Sequence, residues 1–264
     1  MSAERRLEGK VALVTGAASG NGRAIALRLA REGAAIVCAD VREQPLAGGL
    51  DSSPDSATHA LIEHEGGRAV FAPCDVADGQ QVVAAADAAL EAFGRLDVAV
   101  ANAGINPAVH DIVDESWENY LRTLDVNQHG VWWTCRESAL RMIDQGDGGR
   151  IVVIASISGL VGVRSGTAYN VSKGAVVQLV RTLAVQLAPH RITVNAVCPG
   201  WIRTAMTRET QDDPERLARA VALHPLGRLG DADDVAGATF FFASDDAGWI
   251  TGVALPVDGG YTAV

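Results

Sequence analysis

A chain of 264 residues with 48% hydrophobic and 20% charged side chains can bury a substantial core, and its length fits one large α/β domain. Its 32 acidic and 22 basic residues leave a net charge of −10, which gives no electrostatic footprint for nucleic acid and opposes binding to an anionic membrane surface. The charged N-terminal stretch M-S-A-E-R-R has no signal-peptide apolar region, and the uncharged run 151–163 is too short to span a bilayer, so a cytoplasmic location is expected.

Residues 10–15 form a continuous apolar, β-branched run and read as a strand buried on both faces. A glycine-rich turn, T-G-A-A-S-G-N-G from Thr15 to Gly22, leads into helical spacing over 21–32, which Gly33 closes. Residues 35–40 make the next strand. A long loop, 41–53, follows it, and Ser53-Pro54 then reads as a helix start, with Gly66-Gly67 as its end. Further strands are predicted at 69–72, 97–101, 150–156, 192–198 and 252–257, and helices at 80–93, 116–145, 167–188 and 231–243. Seven strands separated by helices imply right-handed crossovers and an α/β fold: a doubly wound parallel sheet covered on both faces, in a single domain over 1–264. The second long loop, 201–230, is polar and charged at its centre and is expected to bound a substrate region, with 201–223 acting as a lid. The scattered cysteines Cys38, Cys74, Cys135 and Cys198 show no metal spacing and read as reduced core thiols, and no metal site is expected.

Gly16, Ser19, Gly20, Asn21 and Gly22 directly follow a strand and open a helix. Glycines there permit a tight turn and close approach of the backbone to a pyrophosphate, which the helix N-terminus stabilises. Taken alone the pattern is also an ordinary β–α turn. Asp40 ends the second strand, positioned to accept hydrogen bonds from the adenosine ribose, with Val41 beside it; its charge opposes a 2′-phosphate, which favours NAD over NADP. Arg42 reads as a solvated loop charge. Asp75 and Val76 after the third strand, and Asn102, Ala103 and Gly104 after the fourth, complete the expected nucleotide contacts.

Tyr169 and Lys173, four residues apart, share one helical face, and Ser156 ends the central strand. An ammonium near a phenol is expected to lower the phenol's pKa, so that the tyrosine exchanges a proton with a substrate oxygen that the serine also binds. A neighbouring tyrosine and lysine are common on any helix; the preceding dinucleotide turn is what gives the pair meaning.

With T-G-x-x-x-G-x-G at Thr15, N-A-G at Asn102, L-D-V-N ending at Asn127, Ser156, Y-x-x-x-K at Tyr169, P-G-x-x-x-T from Pro199 to Thr204 and D-G-G-Y at Asp258, the chain resembles the short-chain dehydrogenase/reductase family over essentially its whole length. The resemblance implies a Rossmann-type fold of about seven parallel strands and an NAD(H)-dependent exchange of a secondary alcohol and a ketone. It implies that Asn127 holds a water linking Lys173 to solvent, and that Lys173 grips the nicotinamide ribose. It also implies that the turn bearing Pro199, Gly200, Ile202 and Thr204 holds the carboxamide, and that helices 116–145 and 167–188 join a homotetramer. Asn21 and Ala101 depart from the usual residues, and the loop after Asp40 resembles a longer insertion that folds over NAD. A 3-oxoacyl-thioester reductase is an alternative, disfavoured by Asp40 and the acidic balance; a non-catalytic NAD sensor or scaffold is another, disfavoured by the intact Asn127, Ser156, Tyr169 and Lys173. Substrate walls are expected at Asn106, Ser158, Leu160 and Trp201, while His110 and His224 are open to a reading as substrate contacts but are more often loop residues with solvated rings.

Overall fold

In the first strand Val11 and Leu13 point to one apolar cluster and Ala12 and Val14 to another, so each face of a flat ribbon is buried. The computed structural model describes residues 5–47, 49–51, 53–106, 111–164 and 166–264, and His110 lies outside the described residues. Strands β1 (Val11–Thr15), β2 (Ala35–Asp40), β3 (Arg68–Pro73), β4 (Val98–Ala101), β5 (Gly149–Ile154), β6 (Ile192–Pro199) and β7 (Ala254–Val257) form a parallel sheet in the order β3-β2-β1-β4-β5-β6-β7. Helices α1 (Gly20–Arg31), α2 (Thr58–His64) and α9 (Ala232–Ala243) contribute to the apolar cluster on one face, and α3 (Gly79–Phe93), α5 (Gly130–Gln145) and α6 (Thr167–Leu187) to that on the other. The chain order reverses between β1 and β4, which opens a crevice beyond the carboxyl ends of the strands.

Element types follow the sequence reading, with ends displaced by one or two residues, and three differences have local causes. The helix expected from Ser53-Pro54 begins only at Thr58. The buried Arg23 guanidinium donates to the carbonyls of Ser53 and Ser56, and Thr58 Oγ1 donates to the Ala17 carbonyl at 2.8 Å, which holds 53–57 as a turn. The expected helix 116–145 is two helices, α4 (Trp117–Leu124) and α5, joined by a wide turn over Asp125–His129 whose Gly130 amide reaches back to the Asp125 carbonyl. Within 201–230 the polar stretch folds into the short helices α7 (Arg208–Gln211) and α8 (Pro214–Ala222), the second capped by the Asp213 carboxylate. No helix of the described residues is long and apolar enough to cross a membrane. The four cysteines are buried and unpaired with one another.

Candidate active site

The crevice is a cleft of about 1170 Å³ lined from the ends of β1, β2, β4, β5 and β6. Thr15, the last residue of β1, ties two of these ends together. Its hydroxyl donates to the Val100 carbonyl and accepts from the amides of Asn102 (3.0 Å) and Ala103 (3.2 Å), while Asn102 Nδ2 donates to the Thr15 carbonyl at 2.9 Å. Gly16 adopts φ +66°, and a Cβ on Gly22 would stand 2.0 Å from the Gly16 carbonyl oxygen. Only glycine lets α1 start so close to the strand it follows.

Asp40 lies at the cleft rim, its carboxylate accepting from the Ala18 amide (3.0 Å) and the Arg42 amide (3.2 Å). The loop after it bends back over the glycine turn: the Leu46 amide donates to Ser19 Oγ at 2.7 Å, and Asp51 Oδ1 accepts from the Gly20 amide at 2.8 Å. A carboxylate thus holds one of the donors at the start of α1. Val41, Asp75, Val76, Ala103 and Gly104 also line the cleft. Asp75 accepts from the Ala77 amide, which fixes its turn.

On the opposite wall α6 delivers Tyr169 and Lys173 from its first two turns. Ser156, just past β5, accepts from the Ser158 amide at 3.1 Å, and its hydroxyl faces the Tyr169 phenol closely enough to hold the phenol's pKa down. Lys173 is buried and donates to the Ile154 carbonyl at 2.9 Å, with its nitrogen 5.7 Å from the Tyr169 ring centre. Asn127 sits fully buried in the wide turn. Its side chain accepts from the Ile105 amide and donates to the Ile105 carbonyl, both at 2.8 Å, and reaches Ser172 Oγ. The absent side chain of Gly104 leaves room for Asn127 Oδ1 and Lys173 Nζ, 3.3 and 3.7 Å from where a Cβ would stand.

The electrostatics correct one expectation. Burial raises the Tyr169 phenol above its ordinary pKa, and the bond from Ser156 offsets this only in part. Lys173 adds nothing to lower it here; its ammonium is engaged with the Ile154 main-chain carbonyl. Burial brings Lys173 itself down to about 8, opposed by the nearby Cys198 thiol.

The turn after β6 forms the floor. Gly200 donates to the Val257 carbonyl, the Ile202 carbonyl accepts from Thr207 Oγ1, and Thr204 Cγ2 lies 3.3 Å from a Cβ built on Gly20, so this turn meets the glycine turn edge to edge. Pro199, Trp201, Asn106 and Ser158 line the cleft; Leu160, expected as a substrate wall, does not, packing instead against the core cluster. His224 is a further correction. It is buried, with Nδ1 2.7 Å from the Ala220 carbonyl and Nε2 accepting from the Trp201 amide, against the Tyr261 ring. The mouth also carries Glu118, Arg122 and Asp125 from α4 and its following turn, Arg164, and Glu209 from α7, which no motif marks. For Glu118 and Arg122 the one signal in the sequence is the amphipathic start of α4 after the Ser116 cap.

A family model described as enoyl-(acyl carrier protein) reductase, one of the short-chain dehydrogenase/reductase set, matches residues 16–262. The chain is 42% identical over 255 residues to an L-rhamnose 1-dehydrogenase (NAD(P)(+)) of Azotobacter vinelandii, covering 95% of this chain and 96% of that protein. The structure of a short-chain type dehydrogenase/reductase from Mycobacterium marinum is 36% identical with a TM-score of 0.89, covering 99% of this chain and 98% of that one. Carveol dehydrogenase from Mycobacterium avium, in complex with NAD, is 35% identical with a TM-score of 0.89, covering 98% of this chain and 99% of that one. Sheet order, the residues gathered at the cleft and these matches lead to one assignment: the chain belongs to the short-chain dehydrogenase/reductase family.

Proposed function

We propose that this protein is an NAD(H)-dependent oxidoreductase that interconverts a secondary alcohol and a ketone. The observation that carries the reading is the meeting, in one cleft, of the Ser156 hydroxyl, the Tyr169 phenol and the Lys173 ammonium with a glycine turn at the start of a helix. The residues suit a dinucleotide. The glycine turn lets the backbone approach closely, Asp40 offers a carboxylate at the adenosine end, and Asn21 carries a buried side-chain oxygen without a protein partner among the described residues. When bound, the nicotinamide supplies or accepts the hydride.

The chain's own groups handle the proton. Tyr169 gives its phenolic proton to a ketone oxygen, or takes one from an alcohol, while Ser156 holds the same oxygen. Lys173, one helical turn along, positions the nicotinamide ribose and recharges the tyrosine, with Asn127 holding the water that connects it to solvent. Its depressed pKa suits a group that passes a proton near neutral pH. The Asp40 charge favours NAD over NADP, although a relative's name covers both. Relatives named for rhamnose and carveol support an alcohol as the small-molecule substrate. A homotetramer belongs to the same reading, and the half-exposed Trp132 and Leu140 on α5 and the exposed Val185 on α6 offer apolar surface for it.

Tyr169→Phe tests the proposal. Turnover should fall about 10²–10⁴-fold, the usual contribution of a general acid or base, while NAD affinity stays near wild type. A variant that keeps more than about a tenth of wild-type kcat removes Tyr169 from that role. Wild-type kcat/KM measured with NAD and with NADP tests the Asp40 assignment, which fails if NADP is preferred.

A further inference from the structure

Asn21 stands between Gly20 and Gly22, where the family usually has an aliphatic side chain, and it lines the cleft. Its Oδ1 atom is buried and has no hydrogen-bond partner among the described residues. An unpaired buried acceptor costs about 1–3 kcal/mol, so an oxygen held in that condition at a cleft wall is poised for a donor from outside the chain. The chemistry of a dinucleotide narrows the donor. Its diphosphate offers acceptors only. Its adenosine end is assigned to Asp40, which closes off Ala18 at the far side of the turn. The Gly20 corner next to Asn21 abuts Thr204 instead, on the turn that carries Ile202. The ribose hydroxyls at that end are assigned to Lys173, which leaves the primary amide of the nicotinamide. Its two N–H groups allow one donor for the turn bearing Ile202 and Thr204 and a second for another acceptor.

We infer that Asn21 is a specificity-determining residue whose side-chain oxygen accepts a hydrogen bond from the carboxamide N–H of the nicotinamide ring. The inference rests on the dinucleotide reading above and adds a residue to it that the family pattern does not supply. Asn21 then fixes the rotation of the amide, and through it the face of the ring turned toward Tyr169.

The test compares NAD with the analogue in which an acetyl group replaces the carboxamide, keeping the carbonyl and removing the N–H. Calorimetric titration of the wild type should show the analogue binding about twofold to tenfold more weakly, the worth of one neutral hydrogen bond. Asn21→Leu should lower that ratio by the same factor and raise the melting temperature of the unliganded protein, since it removes an unpaired acceptor. Asn21→Asp keeps the acceptor; it should bind both dinucleotides more weakly through repulsion of the diphosphate while preserving their ratio. A ratio unchanged in Asn21→Leu, or lost in Asn21→Asp, overturns the inference. Failure of the wild type to bind either dinucleotide overturns the functional reading on which it stands.

Discussion

Lys173 carries a charge into a place where charge is costly, and that gives the fold a measurable pH dependence. Its pKa falls from the ordinary 10.5 to about 8 because burial strips the ammonium of water. Below about 8 both folded and unfolded chains hold the proton, and the folded one bears the full desolvation cost. Between about 8 and 10.5 the folded chain gives up its proton first, so the site's contribution to stability improves as pH rises and levels off above that window. Lys173→Met should therefore be more stable than wild type relative to its loss of contacts, with an advantage that shrinks by about 3 kcal/mol between pH 7 and pH 10.5. Denaturant titrations at the two pH values check this; an advantage of equal size at both would show that the lysine is not desolvated. The spacing of Tyr169 and Lys173 was legible in the sequence because a helix fixes which side chains share a face. The direction of the phenol's shift was not, because it depends first on how deeply the fold buries the ring. The ammonium that was expected to oppose it is held by the Ile154 carbonyl, nineteen positions away.

Element boundaries show where reading from local patterns stops. Ser53-Pro54 has every local mark of a helix start, yet Arg23, thirty positions upstream, takes the Ser53 and Ser56 carbonyls for its guanidinium. Likewise the apolar spacing from Ser116 to Gln145 runs through the wide turn around Asn127, because one extra residue per turn disturbs a helical pattern less than a loop would. A replacement that deletes the guanidinium should release the first of these segments. In Arg23→Met, amide exchange through 56–62 should accelerate by at least about tenfold, since each bond from a charged group is worth about 1.5–3 kcal/mol. Unchanged protection there would mean that Thr58, bonded to the Ala17 carbonyl, holds the turn by itself.

At the scale of the molecule, the alternation of apolar strands and amphipathic helices made the parallel sheet readable, since only that arrangement buries both faces of runs such as 10–15. The charged mouth was not readable. Glu118, Arg122 and Asp125 reach the cleft through the packing of α4 against α6, which no local motif encodes. The sheet order has a consequence in time. β1 pairs with β4, joining residues 12–14 to 98–100, and Thr15 locks their ends to one another through Asn102 and Ala103. The cleft therefore exists only once distant stretches of chain have met, while helices and the β1–β2 pairing form from near neighbours. After dilution from denaturant, far-ultraviolet ellipticity should recover first, and the capacity to bind the proposed dinucleotide should lag behind it in a slower, separate phase. Coincident recovery of the two signals would mean that the strand ends close as early as the helices, and that the binding cleft is present from the first collapse.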